Sequence, residues 1–159
     1  MTHPECVEKL KQTGIHLGFE APGRSYGKMY HRGNPDCVWY YKGTGQEAFR
    51  KIAKGDRYKY LPLAAFEVAH SEREKNLRGT LVTLQLTNAA ASIIILLGKS
   101  VEYKSYLKKL VGRYSFVRYR IWTEKEVNDL YSVVFKSGAG KSSEQQHPGD
   151  VVNRAETDG

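Results

Sequence analysis

The chain has 159 residues, 40% of them hydrophobic and 26% charged, with a formal net charge of +8 at pH 7. That length suits one domain with a real core, and the balance is that of a soluble globular protein. The longest apolar run, Ala89–Leu97 broken by Ser92, is too short to cross a bilayer, which excludes a membrane-spanning role. Two cysteines, Cys6 and Cys37, make no disulfide framework, and Met1–Leu10 carries Glu5 and Glu8 where a leader would be apolar. A cytoplasmic location is therefore expected. The positive balance draws polyanions, and its uneven placement along the chain favours that reading over ordinary solubility charge.

Pro4–Thr13 reads as a helix: Thr2 or His3 precedes a proline suited to a first helical position, and Gly14 reads as its stop. Ile15–Glu20 alternates and reads as a strand. Ala21–Gly33, with Arg24, Lys28, His31 and Arg32, reads as a basic loop or hairpin. Cys37–Lys42 is β-rich, and Gln46–Lys54 could form a helical turn. Tyr60–His70 is the next strand, beginning properly after Pro62. Glu72–Ala90 is helical, with Leu77, Leu81, Leu84 and Asn88 on one face. Ser92–Leu97 is apolar and β-branched, as expected of a strand covered on both faces. Val101–Val111 is helical with Tyr103, Leu107 and Leu110 inward. Phe116–Trp122 is a strand, and Thr123 with Glu126 has capping-box spacing for a last helix.

This order predicts an α/β domain over residues 1–136: a mixed central sheet flanked by helices, its last strands parallel. Residues 137–159 have almost no apolar content and read as a disordered tail.

Two carboxylates stand out. Glu67 lies inside an apolar strand and Asp36 opens another, and such placement implies a cation or partner that offsets desolvation. Side-chain alternation sets Glu67 and Ala69 on one strand face and Phe66, Val68 and His70 on the other. Pro35-Asp36 followed by Glu67-Val68-Ala69 resembles the PD-(D/E)XK nuclease superfamily, of restriction-endonuclease-like fold, over roughly residues 4–135. Phe66-Glu67-Val68-Ala69-His70-Ser71 is also similar to a Phe-Glu-Val-Glu-His-Ser block of nuclease-like proteins, followed there by a leucine-bearing helix.

The resemblance implies Mg²⁺-dependent endonucleolytic cleavage of DNA, with Mn²⁺ able to substitute. Asp36 and Glu67 would hold the ion, the Val68 carbonyl would add an oxygen, and Glu8 on the first helix would be an extra carboxylate. A homodimer would suit cutting both strands of a symmetric duplex. The family's third position, usually Lys, Glu or Gln, is Ala69 here, which can neither donate nor accept a proton. Three explanations stand: an introduced inactivating change, transfer of the role to Lys42, Lys75, His70 or Gln85, or a non-catalytic DNA-binding or assembly protein. An RNA-directed nuclease or junction resolvase is a further alternative.

For the DNA surface the candidates are Arg24, Lys28, Arg32, Lys75 and Arg78, supported by Lys104, Lys108, Lys109 and Arg113 and by Arg118 and Arg120. Gly138–Ser142 lacks the full phosphate-loop pattern, Cys6, Cys37 and His31 lack zinc spacing, and Ser71 with His70 lacks a nucleophile elbow.

Overall fold

The structure is a computed structural model, and it describes residues 1–21, 34–41, 61–113 and 119–137. The expected loop Ala21–Gly33 beyond its first residue, the Gln46–Lys54 turn, the start of the Phe116 strand and the tail lie outside the described residues.

Helix α1 spans His3–His16. Its start is a capping box: the Thr2 hydroxyl accepts from the Glu5 N–H, and the Glu5 carboxylate accepts from the Thr2 N–H. The helix does not stop at Gly14. It runs two residues further, and Gly18 then turns the chain at φ 84°. The expected strand Ile15–Glu20 is thus partly helix, and only Glu20 makes a β-type contact, an antiparallel bridge to Tyr40.

Strand β1 is Cys37–Tyr40 and β2 is Pro62–His70, followed by α2 (Glu74–Thr87), β3 (Ala91–Leu97), a 3₁₀ segment (Gly98–Tyr103) and α3 (Lys104–Val111). The described chain closes with β4 (Tyr119–Thr123) and α4 (Glu124–Ser137). At Thr123 one half of the expected capping box forms: the Glu126 carboxylate accepts from the Thr123 N–H, and it also accepts from the Thr123 hydroxyl.

Among the described residues the sheet has four strands in the order β1-β2-β3-β4. β1 pairs antiparallel with β2, and β2, β3 and β4 run parallel. This is the expected mixed sheet, with helices on both faces. On one face α1 and α4 cover Cys37, Trp39, Phe66, Val68, Ile93 and Ile95. On the other, α2 and α3 cover Val38, Ala65, Ala69, Ile94 and Leu96 with Leu77, Leu81, Leu84 and Leu107. Both faces of β3 are thereby dry, which is why its sequence is apolar apart from the buried Ser92. No helix among the described residues is long and apolar enough to cross a membrane.

The α1 face is fastened by Trp39. Its indole N–H donates to the Leu10 carbonyl at 2.9 Å, and its ring packs against Phe66 at 4.7 Å. Gly14 makes room for that ring, since a Cβ there would lie 2.5 Å from the indole nitrogen.

Candidate functional site

Asp36 sits where the chain bends into β1 and is 3% exposed. Its Oδ2 accepts from the Val68 backbone N–H at 2.9 Å and lies 3.1 Å from His3 Nε2. The paired register begins at Cys37, opposite Phe66, and Asp36 precedes it by one residue, beside the stretch of β2 that holds Glu67 and Val68. Glu67 is half-buried, between Ala65 and Ala69 on the α2–α3 face. Within a strand, the N–H and C=O of one residue point toward the same neighbour. By that geometry the Val68 carbonyl faces the Asp36 side too.

Two residues that sequence reasoning does not select join this strand end. His3, in the first turn of α1, reaches Asp36 directly. Glu72, two residues past β2, is half-buried, and its carboxyl is held above the ordinary range by its own burial first and by the Asp36 charge second, with His3 opposing. Its N–H donates to the buried Ser100 hydroxyl at 2.8 Å, which ties the β2 exit to the 3₁₀ segment. His3 carries no local signal, because only the packing of α1 against β1 and β2 brings it there. Glu72 has one available signal, as an acid immediately after the Phe66–Ser71 block.

Glu8 is elsewhere. It is exposed on α1, accepting from Lys11 and Gln12 at 3.2 Å each, and those hydrogen bonds hold its carboxyl below the ordinary range. These contacts of Glu8 lie within α1, and the α1 residue in contact with Asp36 is His3. Gln85 is exposed in the last turn of α2, the end of the helix remote from Ser71 and Glu72, so it too is not drawn to this strand end. Ala69 is 1% exposed within the α2–α3 core. His70 is exposed on the face away from Glu67, with Nδ1 3.3 Å from the Ser71 hydroxyl. Lys75 is exposed in the first turn of α2, near the carboxyl end of β2. Arg78 donates to the Tyr106 hydroxyl at 2.8 Å and pairs with Glu74 at 3.6 Å, bridging α2 to α3. Arg24, Lys28, Arg32 and Lys42 lie outside the described residues.

Comparison with family models, with curated proteins and with solved structures found no match to this chain. The chemistry must therefore be argued from the donor set. Asp36, Glu67 and the Val68 carbonyl are hard oxygen donors at one strand end. Among the described residues no three His, Cys, Asp or Glu side chains are grouped closely enough to cage an ion. Carboxylate and carbonyl oxygens are the donor type that Mg²⁺ takes, whereas Zn²⁺ takes mostly Cys sulfur and His nitrogen. The two thiols, Cys6 and Cys37, are free and buried, and burial above all pushes each up to about 12.

Proposed function

We propose that this protein is a Mg²⁺-dependent DNA endonuclease of the restriction-endonuclease-like, PD-(D/E)XK type, with Asp36 and Glu67 as its metal carboxylates. The observation that carries the reading is the Asp36 carboxylate held on the N–H of Val68, the residue next to Glu67. The α/β architecture supports it in outline, since a mixed sheet flanked by helices, antiparallel at β1/β2 and parallel through β3 and β4, is of the kind the resemblance implies, although the expected strand Ile15–Glu20 does not form.

In this reading Asp36 and Glu67 bind the ion, and the Val68 carbonyl adds an oxygen. When bound, the ion would offset charge on the scissile phosphate and activate a water for attack on phosphorus. The chain's own contribution is pre-organisation: His3 and Val68 fix Asp36 Oδ2, so the carboxylate needs little rearrangement on binding. A homodimer acting on both strands is part of the proposal, as is a cytoplasmic setting.

A second reading is favoured by Ala69, buried where the resemblance expects Lys, Glu or Gln. On that reading the protein binds DNA without cutting it. Two measurements separate the readings. Calorimetric titration with Mg²⁺ or Mn²⁺ should show binding that Asp36→Asn abolishes. Plasmid cleavage should appear in the native chain or in Ala69→Lys or Ala69→Glu. Ion binding unaffected by Asp36→Asn removes the metal site. DNA binding without cleavage in any variant selects the second reading.

A further inference from the structure

The helix that follows β3 carries an uneven charge. From Gly98 to Arg113 the cations are Lys99, Lys104, Lys108, Lys109 and Arg113, and the one acid is Glu102. None of the five cations makes a salt bridge among the described residues. Lys99, Lys108, Lys109 and Arg113 are exposed and Lys104 is half-buried. Elsewhere some surface cations are matched locally, Lys11 with Glu8, Arg78 with Glu74 and Lys125 with Asp129, while the exposed Arg73, Lys75, Arg120 and Lys136 make no ion pair among the described residues but are dispersed. A surface selected only for solubility would mix its signs in the same way along α3. It does not.

Geometry gives the strip a direction. Lys104 and Lys108 are one helical turn apart and so advance about 6 Å along the axis of α3, Lys109 follows, and Arg113 lies in the turn just past the helix end. The strip starts at the candidate site. Gly98 lies against His70 and Ser71, where a Cβ would come within 3.4 Å of His70 Nε2, and Ser100 accepts from the Glu72 N–H. Lys99, between them, therefore stands at the carboxyl end of β2 and β3, the same end as Glu67 and Glu72. A polyanion laid along α3 meets that end of the sheet.

We infer that the outer face of the 3₁₀ segment and α3, through Lys99, Lys104, Lys108, Lys109 and Arg113, is the docking surface for the phosphate backbone of duplex DNA. The inference deepens the reading of this protein as acting on DNA, and it does not depend on cleavage. A lipid surface fits less well. A helix lying on a bilayer needs an apolar face to insert, and the apolar face of α3 is spent on the core, with Leu107 fully buried. Lysine-rich contacts of this kind position a duplex without reading its bases, so the surface supplies affinity and orientation rather than sequence choice.

The test is fluorescence anisotropy with a labelled duplex in EDTA, so that metal and cleavage play no part. Lys108, Lys109 and Arg113 are changed together to Gln. A control removes the same charge from the other side of the sheet by changing Lys11, Lys125 and Lys136 to Gln. The α3 variant should bind about tenfold more weakly, and its log K against log salt slope should be shallower by about one unit for each phosphate that is no longer neutralised. The control should change affinity by less than about threefold, and replacing the α3 residues Lys108 and Lys109 by Arg should retain binding because the charge is kept. Equal weakening by both Gln sets, unchanged affinity of the α3 variant, or native protein that binds anionic vesicles but not DNA would each overturn the inference. DNA binding that follows this pattern in a protein that cleaves nothing would leave the inference standing and remove only the endonuclease reading.

Discussion

Asp36→Ala separates the structural duty of this carboxylate from its proposed metal duty. Asp36 is 3% exposed and serves a buried backbone N–H, that of Val68, at 2.9 Å. Removing the acceptor of a buried donor costs about 1–3 kcal/mol. The contact with His3, whose ring is 38% exposed, adds at most about 1 kcal/mol. Relief of the repulsion that Asp36 exerts on Glu72 works in the opposite direction. The net expectation is a loss of about 2 kcal/mol, which in a chain of this size lowers Tm by about 4–8 °C. Asp36→Asn keeps an oxygen for the Val68 N–H and should cost less than half as much. Both substitutions should abolish Mg²⁺ binding. Urea unfolding in EDTA gives the stabilities, and calorimetry gives the ion. An Asn variant as damaged as the Ala variant, or an Ala variant within about 0.5 kcal/mol of the native protein, would refute the hydrogen-bonding account of Asp36.

Gly14→Ala should destabilise by about 1–3 kcal/mol, measured by urea unfolding, because a Cβ 2.5 Å from the Trp39 nitrogen forces the indole off α1. A neutral outcome would show that the helix and ring can part without loss. Glu72→Gln should stabilise the protein near neutral pH and not below about pH 4. The reason is linkage: the Glu72 carboxyl titrates higher in the folded chain than its usual 4.5, so the folded form holds a proton that the unfolded form releases. Stability then falls as pH rises through that interval, and the penalty persists above it. Identical unfolding curves for the native protein and the Glu72→Gln variant at both pH values would show that the burial of this side chain is not felt.

Much of the architecture is legible along the chain because it follows from local chemistry. The β-branched run at Ser92–Leu97 marks a strand covered on both sides, and Thr123 with Glu126 marks a helix start. The end of α1 is the instructive exception. Gly14 looks like a helix stop, and Ile15, Leu17 and Phe19 alternate like a strand, yet α1 continues through Gly14. The missing side chain there serves Trp39, a partner far along the chain that no local pattern reveals. Ile15 is 61% exposed and Leu17 44%, so the alternation does not record burial. The candidate site divides in the same way. That Asp36 stands beside the strand carrying Glu67 can be anticipated from two neighbouring β segments each bearing an acid. The approach of His3 and Glu72 cannot, since each depends on how α1 and the 3₁₀ segment pack over the end of the sheet. Glu8 defeats a local reading because an acid on an amphipathic helix shows its spacing but not which neighbours will engage it.

The burial of Cys6 and Cys37 has a practical consequence. Both sulfurs are sealed under the α1–β1 contact and resist ionising, so a thiol-specific reagent can modify them only when that contact opens. The rate of labelling therefore times the lifting of the first helix from the first strand, and the native chain carries its own clock for that event without any introduced probe.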